Sequence, residues 1–149
     1  VGTDAIQHDQ IDQISYWQPE GVNTFVAASG HNYVGLMKDG RTVLRHPFCK
    51  THETLQSLRD EADRYIRLGA HENLAAYKGF GQDGLLLEYC EGGTLLDAIE
   101  GPIEMIDDQK RFIAIQIVRC LVYLHQHNFI YCDVHVRNVF LTSDMVAKV

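Results

Sequence analysis

No stretch of this 149-residue sequence approaches the ~18 consecutive apolar residues that a membrane-spanning helix needs. The basic residues form no run of the kind that follows a nucleic-acid backbone, and the formal net charge of −7 disfavours both nucleic acid and an anionic membrane as partners. None of the four cysteines (Cys49, Cys90, Cys120, Cys132) pairs as C-x-x-C, which argues against a zinc ribbon or a redox dithiol. The histidines are scattered, with no helical H-x-x-x-H and third ligand, so no histidine metal centre is expected. Repeats of solenoid period are missing. Residues 1–13 lack the basic and apolar regions of a signal peptide, and Val1 in place of Met suggests trimming or processing. An intracellular, cytoplasmic setting with reduced thiols is the expectation.

What is present is an ordinary globular composition, 46% hydrophobic and 22% charged, sized for one domain. Residues 1–22 read as a polar N-terminal arm, with a short helix possible in its first part. Three short β-rich runs follow, Phe25–Ala28, Tyr33–Met37 and Thr42–Arg45, the last two joined through Asp39-Gly40, a strong hairpin signal. Thr51 to Leu68 reads as a helix. Its stripe is Leu55, Leu58, Ala62, Tyr65, Ile66 and Leu68, and Gly69 is the stop. A second hairpin, Leu74–Phe80 and Leu85–Tyr89, turns at Gln82-Asp83-Gly84. Beyond Glu91-Gly92-Gly93 come a short helix (Thr94–Ile99) and a longer one (Asp107–His127) with Phe112, Ile113, Ile117, Cys120, Leu121 and Leu124 at helical spacing. A polar loop and a last hairpin, Val139–Thr142 and Val146–Val149, complete the order. Strands and helices in blocks predict an α+β fold rather than a doubly wound sheet.

Residues 128–142, NFIYCDVHVRNVFLT, resemble the catalytic loop of the eukaryotic protein kinases, whose general pattern is H-R-D-x-x-x-x-N. Asp133 takes the aspartate position and Asn138, five residues on, the asparagine; Tyr131 replaces the histidine and Cys132 the arginine. The C-D-x-x-x-R-N reading is most similar to a divergent group of fungal kinase-like proteins. Upstream, LLEYCEGGTL (residues 86–95) resembles the family's hinge, Glu61 its small-lobe helix glutamate, and His71-Glu72-Asn73-Leu74 the H-P-N-I that follows. The resemblance covers about residues 23–149. It implies a five-stranded antiparallel small lobe with one helix and a hinge (23–90), then a partial helical large lobe (91–149).

That resemblance also implies ATP and Mg²⁺ as cofactors if the parent protein is active, and it distributes the site residue by residue. Ala27, Ser29 and Asn32 stand at the three glycine positions of the phosphate-covering loop and Val34 at its valine. Gly30 is nearby but out of register, so a weak phosphate grip is expected, because glycine is what lets backbone approach phosphate. Arg45 stands at the lysine that meets the phosphates. It either serves in that role or simply pairs with Glu61 and holds the helix, and a guanidinium is not equivalent to an ammonium at a crowded site. Leu87 is the gatekeeper, with the backbone of Glu88 and Cys90 at the adenine edge. Val43 and Phe140 are larger than the usual residues at two adenine-facing positions; they either narrow the pocket or are absorbed by small backbone shifts. Asn138 would hold one Mg²⁺. The sequence ends at Val149, about two residues before the D-F-G aspartate that holds the other.

Asp133 would orient a substrate hydroxyl or else close its loop structurally, and Arg137 would steady that base or lie on the surface. Without the arginine that Cys132 replaces, no switch by a phosphorylated activation loop is expected. These departures favour a kinase-like binding or scaffold module, a pseudokinase, with impaired catalysis. The alternative is a piece of an active Ser/Thr-type kinase. A small-molecule phosphotransferase of the aminoglycoside or choline type is disfavoured by Tyr131 two residues before Asp133. An uncovered long helix would leave an apolar face, so a protein partner or self-association through that helix and the catalytic-loop hairpin is expected.

Overall fold

The computed structural model describes residues 18–29 and 31–149, so the reading of residues 1–17 as an arm lies outside the described residues. Strands β1 (Val22–Ser29), β2 (Asn32–Met37), β3 (Thr42–Pro47), β4 (Tyr77–Phe80) and β5 (Leu85–Glu88) form one antiparallel sheet in the order β1-β2-β3-β5-β4. Helix α1 (His52–Leu68) lies between β3 and β4 in sequence, and α2 (Leu95–Glu100) and α3 (Asp107–Gln126) follow the sheet. A small hairpin, β6 (Phe140–Leu141) with β7 (Ala147–Lys148), ends the chain. This is the α+β architecture that the order of elements predicts, with the five-stranded antiparallel lobe and single helix that the resemblance implies.

Local chemistry explains the boundaries. Asp39 accepts hydrogen bonds from the Arg41 and Thr42 amides and from the Thr42 hydroxyl, at 2.9, 2.9 and 2.6 Å, closing the β2–β3 turn. Those bonds, the Thr42 hydroxyl first, hold the Asp39 carboxyl below its ordinary value. Thr51 and Thr54 cap α1 reciprocally, and Gly69, at φ +72°, donates its amide to the Tyr65 carbonyl to end it. Thr94 and Asp97 repeat the device on α2. At Gly84 a Cβ would stand 2.1 Å from the Arg45 carbonyl oxygen, so only glycine admits β5 this close to β3.

Three expectations need correction. The first strand begins at Val22 and runs on to Ser29, because its backbone pairs with β2 along that length. The fourth strand begins at Tyr77 rather than Leu74, since Ala75 and Ala76 spend their amides elsewhere, on the Val149 carbonyl and the Glu88 carboxylate. Ile66 and Phe112, read as core positions, are solvent-exposed. Phe112 lies about 100° round its helix from Ile113, off the buried stripe.

Three apolar clusters stack along the molecule. Leu58 and Ala62 of α1 pack with Leu85 under the sheet. Leu68, Leu74, Cys120 and Leu124 form a middle layer with Tyr65, Phe129 and Tyr131 against it. Leu95, Met105, Ile113, Val139, Leu141 and Ala147 fill the far end. Tyr65 belongs to both of the first two layers, so the sheet and the long helix share a continuous interior.

Candidate active site

Strand register decides which side chains meet. Val34 pairs with Arg45 across β2 and β3, and Val43 with Leu87 and Arg45 with Leu85 across β3 and β5. Paired residues share a face and alternate residues repeat it, so Val34, Val43, Arg45 and Leu87 line one side of the sheet. Ala27 joins them opposite Val34, and Ser29 pairs with Asn32 at the tip of the hairpin. Helix α1 covers part of this face and brings Glu61 to Arg45. Arg45 Nη1 donates to Glu61 Oε1 at 2.7 Å, with both side chains only partly exposed. Neither other lysine near this position competes: Lys38 is exposed in the β2–β3 turn, and Lys50 pairs with Asp83 at 2.8 Å.

After β5 the backbone changes partners in a way that suits a hinge. The Glu88 amide donates to Ala76 and the Tyr89 amide to Arg41, whereas the Cys90 amide makes no hydrogen bond among the described residues. The Cys90 thiol is buried and pushed up to about 11 by that burial and then by the Glu88 carboxylate, with Lys148 opposing. It is a packing group rather than a thiolate nucleophile. Gly92 then lies against β6. Its amide donates to the Leu141 carbonyl at 2.8 Å, and a Cβ there would stand 2.7 Å from the same oxygen. Thr94 bridges Phe140, whose half-exposed ring alternates with buried Leu141.

The catalytic-loop segment closes on itself. Asn138 Nδ2 donates to Asp133 Oδ2 at 2.7 Å and to the Asp133 carbonyl at 3.1 Å, and the Asn138 amide donates to the His135 carbonyl. Asp133 and Arg137 are exposed. Tyr131, two residues before Asp133, is anchored in the middle layer that also takes Tyr65, one helical turn beyond Glu61. Its hydroxyl titrates above the ordinary tyrosine value because of burial first and the Asp133 carboxylate second, while Arg45 opposes. The shared layer brings the Arg45–Glu61 pair and the Asp133–Asn138 pair to the same region of the molecule.

Two atoms bear on what this region accepts. Arg45 Nε is buried without a partner among the described residues, a donor that suits an anionic group. Asn138 Oδ1 likewise takes no hydrogen bond among the described residues, which leaves a hard oxygen for Mg²⁺. The residues therefore fit a nucleotide phosphate and one metal contact, without the glycines of a close-fitting phosphate cover.

Sequence reasoning missed the polar joint behind this region. Asn73 and Gln116 are both buried. Asn73 Nδ2 donates to Gln116 Oε1 and to the Ala147 carbonyl, each at 3.0 Å, and the Ala147 amide donates to Gln116 Oε1 at 2.8 Å. The available signal was a glutamine on the apolar stripe of α3, between Ile113 and Cys120.

A model of the protein kinase domain family matches residues 43–149. The chain belongs to that family. Among curated proteins it is similar to misshapen-like kinase 1 of Rattus norvegicus, 25% identical over 97% of this chain and 12% of that protein. It is similar to 3-phosphoinositide-dependent protein kinase 1 of Arabidopsis thaliana, 37% identical over 44% of this chain and 13% of the relative. It also resembles serine/threonine-protein kinase ppk25 of Schizosaccharomyces pombe, 38% identical over 40% of this chain and 14% of the relative. The chain thus spans a small part of each relative's length. Among the described residues, no helix is long and apolar enough to cross a membrane.

Proposed function

We propose that this protein kinase domain is catalytically impaired and works as a pseudokinase-type binding or scaffold module inside the cell, in the cytoplasm. The observation that carries this reading is the identity of the cation that pairs with Glu61 at 2.7 Å: an arginine, Arg45, stands where the family has the lysine that also meets the phosphates. A guanidinium at this position keeps charge and holds α1, but it is bulkier and directionally fixed where a compact ammonium serves phosphate. Ala27, Ser29 and Asn32, in place of glycines, keep backbone from wrapping phosphate closely. When bound, ATP with Mg²⁺ would supply the transferable phosphoryl group. Arg45 and Asn138 would hold it, Val43, Leu87 and Phe140 would line the base, the Glu88 and Cys90 backbone would meet its edge, and Asp133 with Arg137 would face a substrate hydroxyl.

The partner is proposed to be a protein, or a second copy, meeting the long-helix and catalytic-loop face. Exposed Phe112, Ile115, Val118 and Val122 support this, as does the apolar groove of about 490 Å³ that Ile115, Val118 and Val122 share with His71 and Tyr123.

A second reading, a segment of an active Ser/Thr-type kinase, is favoured by the Asp133–Asn138 contact, which keeps the loop closed and the carboxylate exposed. A phosphotransfer assay with labelled ATP and a general protein substrate, run on the parent protein rather than on this segment, separates the two. The pseudokinase reading expects incorporation no greater than that of Asp133→Asn. Transfer abolished by Asp133→Asn establishes the second reading instead.

A further inference from the structure

Strand β7 is held from three directions. Gln116 and Asn73 bind Ala147, as described above. The Val149 amide donates to the Asn73 carbonyl at 2.9 Å, and the Ala75 amide donates to the Val149 carbonyl at 3.4 Å. The third tie is a side chain: Lys148 Nζ lies 3.2 Å from Glu88 Oε2, with 13% and 24% of the two side chains exposed. The same carboxylate oxygen accepts the Ala76 amide at 3.0 Å, while the Glu88 amide returns a bond to the Ala76 carbonyl at 2.9 Å. Alternation along β5 places Leu87 on the site face and Glu88 on the opposite face, so the pair stands behind the hinge, clear of the nucleotide position.

We infer that Lys148 is a positioning residue: its ion pair with Glu88 latches the hinge strand to β7 and fixes where the Glu88–Cys90 backbone stands. The two groups are partly withdrawn from water, the carboxylate is already oriented by Ala76, and the lysine's own strand is pinned by Gln116 and Asn73. A pair whose partners are both pre-oriented loses little side-chain entropy on forming, unlike a free surface pair. Without Lys148, Glu88 keeps its bond to Ala76, but the tie between hinge and β7 is gone. Opening of the hinge is then local rather than global. The inference deepens the nucleotide-site reading and rests on it for its purpose, though not for its test.

Hydrogen–deuterium exchange of the full chain without nucleotide tests it. Lys148→Met is expected to speed exchange of the amides in residues 85–92 about tenfold, while residues 22–37 exchange at the unaltered rate. Lys148→Arg, which keeps the cation, should restore hinge protection to within about twofold. Should Lys148→Met not fold, Glu88→Gln, which keeps an acceptor for Ala76 but no charge, is expected to produce the same local increase. Unchanged hinge exchange in whichever charge-removing variant folds, a rise spread evenly over β1 and β2 as well, or failure of Lys148→Arg to restore protection overturns the latch. A lack of nucleotide binding in a separate titration counts against the nucleotide-site reading and leaves the exchange result standing.

Discussion

Arg45 and Glu61, sixteen residues apart, meet at 2.7 Å between β3 and α1. Both side chains are about a quarter to a third exposed, so the pair is worth more than a solvated surface contact and less than a dry one. A double-mutant cycle of Arg45→Met and Glu61→Gln, read by urea unfolding, is expected to give a coupling of about 1 kcal/mol. A coupling near zero would mean that the pair does not hold α1 to the sheet.

The joint of Asn73 and Gln116 should matter more for stability. Gln116 Oε1 accepts from both Asn73 Nδ2 and the Ala147 amide inside the protein. Removing it takes the acceptor from the buried Ala147 amide and leaves Asn73 Nδ2 only its bond to the Ala147 carbonyl. Gln116→Leu is expected to cost about 3 kcal/mol in chemical denaturation, although leucine fits the apolar stripe better. A neutral result would show that the buried bonds do not control how β7 is held.

At Gly84 the constraint is steric. An added methyl would overlap the Arg45 carbonyl at 2.1 Å, and backbone cannot yield as a flexible side chain can. Gly84→Ala is expected to destabilise by about 3 kcal/mol, with β3 and β5 losing exchange protection first. Gly40→Ala, where a Cβ meets nothing within 4 Å, should cost less; only its φ of +68° opposes the change.

Stability should also depend on pH through His46. Its imidazole is buried in β3 beside the Tyr33 ring, and desolvation lowers its pKa below the ordinary 6.5. A depressed value means that the unfolded chain binds the proton more readily. His46 stabilisation is then full above pH 6.5 and is lost as pH falls through the lower folded value. The melting temperature should drop between pH 7 and pH 5, and His46→Phe should flatten that drop. An equal slope in the variant assigns the dependence to other groups.

Much of the fold was legible because its signals are local. Asp39-Gly40, the Thr51 cap and Gly69 mark boundaries that short-range hydrogen bonds enforce, and the loop from Asp133 to Asn138 carries its own pattern. The edges that failed, Leu74 to Ala76 and the exposed Ile66 and Phe112, depend on partners distant in sequence. Val149 and Glu88 decide the first, and which face of α1 and of α3 turns inward decides the other two. Gln116 and Lys148 escaped notice for the same reason: a polar residue on a stripe and a lysine in a two-residue strand acquire meaning only from what they touch.

The central claim is that the site is built on the plan of a kinase but grips nucleotide weakly. Its most direct test is thermal unfolding of the chain in a titration with Mg·ATP. Because a ligand stabilises only the state it binds, the melting temperature is expected to rise by less than about 2 °C at ~5 mM. A Mg²⁺-dependent rise of about 5 °C or more at that concentration, abolished by Asn138→Ala, would contradict it.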